Sequence, residues 1–171
     1  NAGLGSRLQA DGAARMSAAL MDGATGRFAG VINVEGIRHP IDVALSLHGS
    51  DHAVLAGDQA TRHAREVLGF EAFDPVTEHR REEHARSAAG RSGTVGAVAV
   101  DEAGQLWVGT STGGVGYETP GRVSDSATVA GFIDDTKPVG EDVIDGLTTL
   151  GSLADAQSDP ALNPTAISIV F

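Results

Sequence analysis

The sequence predicts a globular α/β domain, and two observations support that prediction. Hydrophobic residues make up 41% of the 171 residues, a share typical of chains that bury a core and too high for a disordered one. Segments rich in small and β-branched residues alternate with segments that carry helical start and stop signals. Because aromatic residues are only 4% of the chain, we expect a core built from Val, Ala, Leu and Ile.

Five segments have the composition of β-strands. Thr94 to Val100 is small and β-branched, as expected of a buried strand, and Leu106 to Ser111 is its predicted hairpin partner. A turn that contains Gly104 joins the two. Gly30 interrupts an earlier strand and predicts a bulge or a close backbone approach there. The predicted strands are residues 27–34, 52–56, 94–100, 106–111 and 167–171.

Two helices are predicted in the first half of the chain. One covers residues 39–48, and Pro40 starts it because proline suits the first helical turn. The second begins with Asp58 as its N-cap, runs to Leu68 and is closed by Gly69. In the first of these helices the positions expected to face the core are Ile41, Ala44, Leu45 and Leu47.

A third, highly charged helix is predicted over residues 77–89. His79 and His84 are five residues apart in it and do not share one helical face, so we expect both in solvent. A metal site would need three or four convergent ligands, and we expect no metal and no cofactor. The helix runs into residues 90–93, the best candidate for a flexible linker.

Charge and composition exclude several classes of function. The formal net charge of −11 argues against binding to nucleic acid or to an anionic membrane, which both require clustered Lys and Arg. The chain has no cysteine and no apolar run near the ~20 residues that span a bilayer. Its first residues lack the basic and apolar segments of a signal peptide, so we expect a cytoplasmic protein.

Three sequence blocks occur in a specific order in the second half. Gly93 to Asp101 (GTVGAVAVD) is followed by Thr110 to Gly114 (TSTGG) and then by Pro120 to Ser126 (PGRVSDS). Together they resemble the plant-type asparaginases, also called isoaspartyl peptidases. The first half agrees with this family through residues 1–6 (NAGLGS), 21–23 (MDG) and 39–41 (HPI).

The resemblance implies a fold and an activity. The fold is the four-layer αββα sandwich of the N-terminal-nucleophile hydrolases, formed here by one domain over residues 1–171. The implied reaction is hydrolysis of L-asparagine and β-aspartyl dipeptides through a β-aspartyl ester on Thr94. The implied assembly is a dimer of αβ units, in which residues 1–93 and 94–171 come from one precursor.

Thr94 is the residue on which this mechanism depends. A threonine hydroxyl needs a base, and in this class the base is the α-amino group of the same threonine, released by chain cleavage. Such an amine has a pKa of about 7.7–8.0, so part of it is neutral near pH 7. The resemblance therefore implies self-cleavage of the Gly93–Thr94 bond, and the small Gly93 suits an accessible peptide bond.

Further residues take roles through the same resemblance. Thr112 is expected to orient the nucleophile. Arg122 is expected to grip the substrate carboxylate with its fork of donors, and Asp125 to pair with the substrate ammonium. Gly113 and Gly140 complete the implied substrate-binding set.

Two departures from the family leave alternatives open. Family members have a strand and a His-Gly-Gly-Ala-Gly-like turn before the Asn-Ala-Gly block, whereas this sequence starts at that block. They also have a Thr-Gly-x-Gly-Glu segment, whereas Lys137 and Pro138 stand before Gly140 and Glu141 here. Either family segments lie outside this sequence, or the oxyanion segment is degenerate. We expect the former, because the nucleophile blocks are intact.

Two rival functions remain. A glycosylasparaginase-like amidase would carry an Asp before the nucleophile and a Thr-Ser-Thr-Asn-Gly block, and Gly93 and Gly113 argue against it. A non-enzymatic or unprocessed homologue would keep the fold without chain cleavage.

Overall fold

A computed structural model describes residues 2–86, 94–128 and 167–170. Its strands are β1 (Arg15–Asp22), β2 (Arg27–Glu35), β3 (Val54–Ala56), β4 (Thr94–Val100), β5 (Leu106–Thr112) and β6 (Ile167–Val170). These six strands form one sheet in the order β3-β2-β1-β5-β4-β6. The pairing of β2 with β3 is parallel, and the other neighbours are antiparallel.

Three helices and two short turns complete the described part. They are α1 (Pro40–Leu47), α2 (Gly57–Arg62), which continues as a π-helical turn (His63–Val67), α3 (Glu78–Ala85), and a 3₁₀ turn (Asp125–Ala127). The mixed α/β class is therefore confirmed. None of the helices in these described ranges is long and apolar enough to cross a bilayer.

The predicted helix positions are correct, with one error at an N-cap. Asp58 does not cap α2, because that helix begins one residue earlier and has Ala56 as its N-cap. Asp58 instead lies in the first turn, where a carboxylate favours the positive end of the helix dipole. Gly69 closes the helical segment as predicted, with φ +72°, a left-handed conformation that suits glycine.

The main core lies on one face of the sheet, which we call the helix face. It is the face from which Met16, Ala18 and Leu20 of β1 point towards α1 and α2. In α1 the buried positions are Pro40, Val43, Ala44 and Leu47, spaced three and four apart. Leu45, predicted to face the core, is 54% exposed, because it lies outside this stripe.

Strand β1 lies between β2 and β5 in the middle of the sheet, and sequence reasoning did not predict it. Its residues, Arg-Met-Ser-Ala-Ala-Leu-Met-Asp, lack the β-branched side chains that predict strands. All but Arg15 are buried. Since a strand covered on both faces needs no polar alternation, β1 shows no period of two in its sequence.

The β4–β5 hairpin was predicted closely. β4 has the predicted bounds, and β5 extends one residue further, to Thr112. The turn between them is closed by the bond from the Asp101 N–H to the Gln105 carbonyl oxygen at 3.0 Å. Gly30 makes a close approach, since a Cβ there would lie 3.4 Å from the Ala18 carbonyl oxygen.

The opposite side of the sheet we call the threonine face, because Thr94, Thr110 and Thr112 lie on it. Cross-strand pairing assigns this face: Thr94 is opposite Thr112, and Thr110 is opposite Ala19. Side chains alternate along a strand, so Ala19 points away from the helix face. A second apolar cluster occupies the hairpin end of the threonine face, formed by Ala19, Met21, Val98 and Val108 with Phe28 and Leu106.

We expect Leu47→Ala to destabilise the protein by about 2–5 kcal/mol, since the side chain is 4% exposed and its loss leaves a cavity in the helix-face core. The matched control is Leu45→Ala on the same helix, which is 54% exposed and should change the free energy of unfolding by less than about 0.5 kcal/mol. Urea unfolding of both variants measures the difference. Equal effects at the two positions would contradict this assignment of the core.

Candidate functional site

The β4–β5 hairpin places Thr94 directly opposite Thr112. The two strands pair from Val100 with Leu106, beside the turn, to Thr94 with Thr112 at the open end. Thr112 is buried at 5% exposure, and Thr94 is half-buried. The predicted juxtaposition of these two threonines is therefore present in the backbone register.

The Thr94 hydroxyl contacts Ser126. The Ser126 hydroxyl donates to Thr94 Oγ1 over 3.4 Å, and Ser126 is only 1% exposed. The Thr110 hydroxyl in turn donates to the Ser126 carbonyl oxygen at 2.7 Å. Thr94, Thr110 and Ser126 form what we call the hydroxyl cluster, which joins the start of β4 to the 3₁₀ turn.

Thr112 uses its hydroxyl oxygen locally. It accepts the Gly114 N–H at 3.2 Å, which shapes the chain as it leaves β5. Gly114 has φ +85°, and a Cβ there would collide with the Glu118 carboxylate, so this turn requires glycine. Gly114 therefore has a structural reason to be glycine, whereas the role predicted for Gly113 is in substrate binding.

A β-bulge supports the other side of Thr112. Ser17 of β1 is its cross-strand neighbour, and β2 carries one extra residue between the partners of Met16 and Ala18. Asn33 lies in this bulge with φ +53°, and its N–H donates to Ser17 Oγ at 3.1 Å. The predicted strand thus contains a bulge, but at Asn33 rather than at Gly30.

Residues 2–10, which we call the N-terminal block, pair with the loop that follows β5. The Arg7 N–H donates to the Gly113 carbonyl oxygen at 2.8 Å, and the Tyr117 N–H donates to the Leu8 carbonyl oxygen at 2.8 Å. The Ala10 N–H continues this ladder and donates to the Glu118 carbonyl oxygen at 2.9 Å. The loop that carries Gly113 is therefore held by residues from the other end of the sequence.

Helix α3 anchors this N-terminal block. Arg80 Nε donates to the Gly5 carbonyl oxygen at 3.0 Å, while its Nη1 lies 2.6 Å from the Glu83 carboxylate. Arg7 lies 3.5 Å from the same carboxylate. The hydrogen bond from Arg80, assisted by the nearby charges, lowers the pKa of Glu83 below its ordinary value.

The two histidines of α3 differ in environment. His79 is solvent-exposed as predicted, with 70% of its side chain accessible. The same prediction for His84 is wrong: its Nε2 lies 3.0 Å from the Gln9 carbonyl oxygen, and its ring packs 5.2 Å from that of Tyr117. The helix turns His84 towards the N-terminal block, which its charged sequence neighbours gave no reason to expect.

Arg122 and Asp125 are surface residues of the segment that leads into the 3₁₀ turn. Both are exposed, and Asp125 opens the 3₁₀ turn that contains Ser126. Within the described residues no ion pair joins them, so neither charge is neutralised by the other there. Gly93 and Gly140, which complete the predicted set, fall outside the described residues.

The described ranges bring no set of metal ligands together. Residues 2–86 and 94–128 contain no group of three or more His, Asp or Glu side chains that could hold one ion. What these ranges bring together is instead a set of hydroxyl groups, a half-buried one on Thr94 among them. That set suits nucleophilic chemistry by an oxygen atom.

Three site residues were missed by sequence reasoning. Thr110 had a signal, because it lies two positions before Thr112 on a strand and must share its face. Ser126 had a weaker signal: it closes the third sequence block, but it lies in an irregular segment whose position depends on tertiary contacts. Ser17 was missed together with β1.

Comparison with known proteins identifies the family. A sequence model described as "Asparaginase" matches residues 1–91 and 78–141. The isoaspartyl peptidase/L-asparaginase of Nostoc sp. is 43% identical, over 85% of this chain and 54% of its own length. The chain belongs to the asparaginase family. The family assignment made from the three sequence blocks is thus confirmed.

Other asparaginase-family relatives agree. The isoaspartyl peptidase/L-asparaginase of Synechocystis sp. is 45% identical over 77% of this chain and 45% of its own length. The plant-type L-asparaginase of Pyrobaculum calidifontis is 40% identical over 74% of this chain and 47% of its own length. The chain therefore spans about half the length of the curated relatives it matches.

Glu83→Gln should destabilise the protein by about 0.5–1.5 kcal/mol at pH 7, because it removes the ion pair that joins α3 to Arg7 and the contact within α3 that orients Arg80 towards the Gly5 carbonyl oxygen. A carboxylate whose folded pKa is lowered contributes stability above its unfolded pKa of about 4.3 and loses it as the pH falls through the folded value. The difference from wild type should therefore shrink below about pH 4.

Urea unfolding at a series of pH values from 7 down to 3 measures this effect. The matched control is Glu82→Gln on the same helix, whose side chain is 54% exposed and pairs with Arg86 in solvent. Its effect should stay under about 0.5 kcal/mol. A Glu83 effect that is independent of pH, or no larger than that of Glu82, would contradict the anchoring role.

Proposed function

We propose that this chain is part of an autoprocessed threonine hydrolase that cleaves the side-chain amide of L-asparagine and of β-aspartyl dipeptides. The observation that carries the proposal is the place of Thr94: it opens β4 opposite Thr112, and its hydroxyl contacts Ser126, the residue that follows Asp125. The names of the relatives, isoaspartyl peptidase and L-asparaginase, support the substrate class.

The proposed first reaction is cleavage of the chain itself. The Thr94 hydroxyl oxygen attacks the Gly93 carbonyl carbon, the C–N bond to Thr94 breaks, and the nitrogen takes up a proton. The resulting ester between Gly93 and Thr94 is hydrolysed by water. The products are a chain that ends at Gly93 with a new carboxylate and a chain that begins at Thr94 with a new α-amino group.

The second reaction uses that amine as its base. Near pH 7 a substantial fraction is neutral and accepts the proton of the Thr94 hydroxyl as the oxygen attacks the side-chain carbonyl of the substrate. Ammonia, or the amino acid of a β-aspartyl dipeptide, leaves with a proton. Water then hydrolyses the β-aspartyl ester, which releases aspartate and restores Thr94.

The substrate is proposed to bind by its charged groups. Arg122 presents a planar fork of N–H donors for the α-carboxylate, and Asp125 an acceptor for the α-ammonium. Both are exposed beside the turn that touches Thr94. Gly113 and Gly140 are proposed to border the same pocket, and Thr112 to orient the nucleophile from the opposite strand.

The remaining parts of the proposal concern architecture. We assign the chain to a single domain of the four-layer αββα type, in which the threonine face would meet a second sheet and the helix face carries α1 and α2. The active assembly is proposed to be a dimer of αβ units in the cytoplasm. No cofactor is required by this chemistry, because the nucleophile and the base both belong to Thr94.

Thr94→Ala should abolish both chain cleavage and turnover, with a loss of at least about 10⁴-fold, since one hydroxyl serves both reactions. Thr94→Ser keeps a hydroxyl and should retain some cleavage. Intact-mass measurement of purified full chain, beside ammonia release from asparagine, tests both. Hydrolysis of β-aspartyl dipeptides by the Ala variant would rule out Thr94 as the nucleophile, and an uncut wild type would favour the unprocessed homologue.

Arg122→Lys should raise the Michaelis constant roughly 10–100-fold while chain cleavage proceeds normally, because cleavage needs no free carboxylate in the pocket. The matched control is Arg27→Lys, which changes an exposed arginine at the start of β2. This change should leave the kinetics unchanged. Steady-state kinetics on asparagine and on a β-aspartyl dipeptide measure the effect. Kinetics identical to those of the control would mean that Arg122 does not bind substrate.

A further inference from the structure

We propose that Ser126 is a positioning residue for Thr94, and that its hydroxyl holds the Thr94 oxygen in the orientation for attack in both chain cleavage and substrate hydrolysis. This inference rests on the proposed function, since it takes Thr94 as the nucleophile. It assigns to Ser126 a role separate from those of Thr112, Arg122 and Asp125.

The proposed reaction gives Ser126 the donor role. Its hydroxyl oxygen lies 3.4 Å from Thr94 Oγ1, and when it donates along this contact it uses a lone pair of the Thr94 oxygen and leaves the Thr94 proton uninvolved. That proton stays available for transfer to a base. A partner that accepted from Thr94 would instead compete with the base for the same proton.

The contact should strengthen as the reaction proceeds. At 3.4 Å it is a long hydrogen bond in the resting state, and hydrogen bonds in resting active sites are often long. When the Thr94 oxygen loses its proton it gains negative charge, and a bond donated to a charged oxygen is shorter and about twice as strong. A contact that is stronger in the attacking state than in the resting state lowers the barrier.

Burial keeps water from replacing Ser126. The residue is 1% exposed, so bulk water does not compete for the Thr94 oxygen from that side. A donor fixed in a site that excludes water costs little reorganisation at the moment of reaction. Ser126 is thus placed to stabilise charge on Thr94 where solvent would do so less effectively.

Strand β5 holds Ser126 in place. The Thr110 hydroxyl donates to the Ser126 carbonyl oxygen at 2.7 Å, and Thr110 is itself buried at 7% exposure. Thr110 belongs to β5, the strand that pairs with β4. The same sheet therefore holds both Ser126 and Thr94 in position. Thr110 acts on the nucleophile through Ser126 in this arrangement.

Ser124 provides a matched comparison within the same segment. It lies two residues before Ser126 and is 7% exposed, and among the described residues its hydroxyl has no hydrogen-bond partner. It precedes the 3₁₀ turn without capping it through its side chain. Removal of the Ser124 hydroxyl therefore tests the loss of a buried serine oxygen without loss of the contact to Thr94.

The experiment compares Ser126→Ala, Ser124→Ala and Ser126→Cys in the full chain. Each is measured for the rate of chain cleavage, for kcat and KM on asparagine and a β-aspartyl dipeptide, and for the melting temperature. Ser126→Ala should slow both reactions by about 10–100-fold with KM within about twofold of wild type. Ser126→Cys keeps the shape of the side chain with a weaker donor, so its rates should lie between those of Ser126→Ala and wild type. The rates of Ser124→Ala should match those of wild type.

Thr110→Val adds a double-mutant cycle. It removes the hydroxyl that holds the Ser126 carbonyl and should slow both reactions by less than Ser126→Ala does. In the Ser126→Ala background Thr110→Val should cause little further loss of rate, because the effects of two residues that act through one contact do not add. Full additivity of the two changes would overturn the link between Thr110 and Ser126.

The outcomes separate this inference from the proposed function. If the wild type cleaves itself and turns over substrate while Ser126→Ala behaves like Ser124→Ala, Ser126 is not a positioning residue and Thr94 remains the nucleophile. A Ser126→Ala defect that follows a lower melting temperature and a raised KM, and that Ser126→Cys does not relieve, assigns Ser126 to packing and also overturns the inference. A wild type without cleavage or turnover after prolonged incubation overturns the proposed function, and the inference falls with it.

Discussion

The antiparallel register between β4 and β5 determines where the polar groups of the site lie. Asp101 Oδ1 accepts the Ala103 and Gln105 N–H groups at 2.9 and 2.8 Å, and Gly104 takes φ +78°, so the turn admits one pairing. A slip of one residue would turn Thr94 to the helix face, away from Ser126. A turn at one end of the hairpin thus helps to set the position of Thr94 at the other end.

The register also joins the two halves of the chain. β5 pairs with β1 as well as with β4, so residues on either side of the proposed cleavage bond share one sheet. The N-terminal block adds a ladder to the loop after β5, and α3 adds an ion pair and a hydrogen bond to that block. Chain cleavage at Gly93 would therefore leave two chains held together by strand pairing and would free Thr94 without loss of its surroundings.

Sequence reasoning succeeded where local chemistry decides the structure. The β4–β5 hairpin and α1 were predicted because turn residues, proline and apolar spacing act over a few positions. It failed at Asp58, Leu45 and His84, where a helix boundary or the direction of a side chain depends on what packs against the helix. Strand β1 was missed because burial on both faces removes the alternation that reveals a strand.

The sequence by itself determined the family, the hairpin and the candidate nucleophile, because the three blocks and their order are properties of the chain alone. Only the tertiary structure brought Ser126 to Thr94, Ser17 to Thr112 and the N-terminal block to Gly113. These contacts join residues far apart in sequence, and sheet register and packing select them. The conformational preferences of a short segment carry no information about a partner that the segment contacts only after the chain has folded.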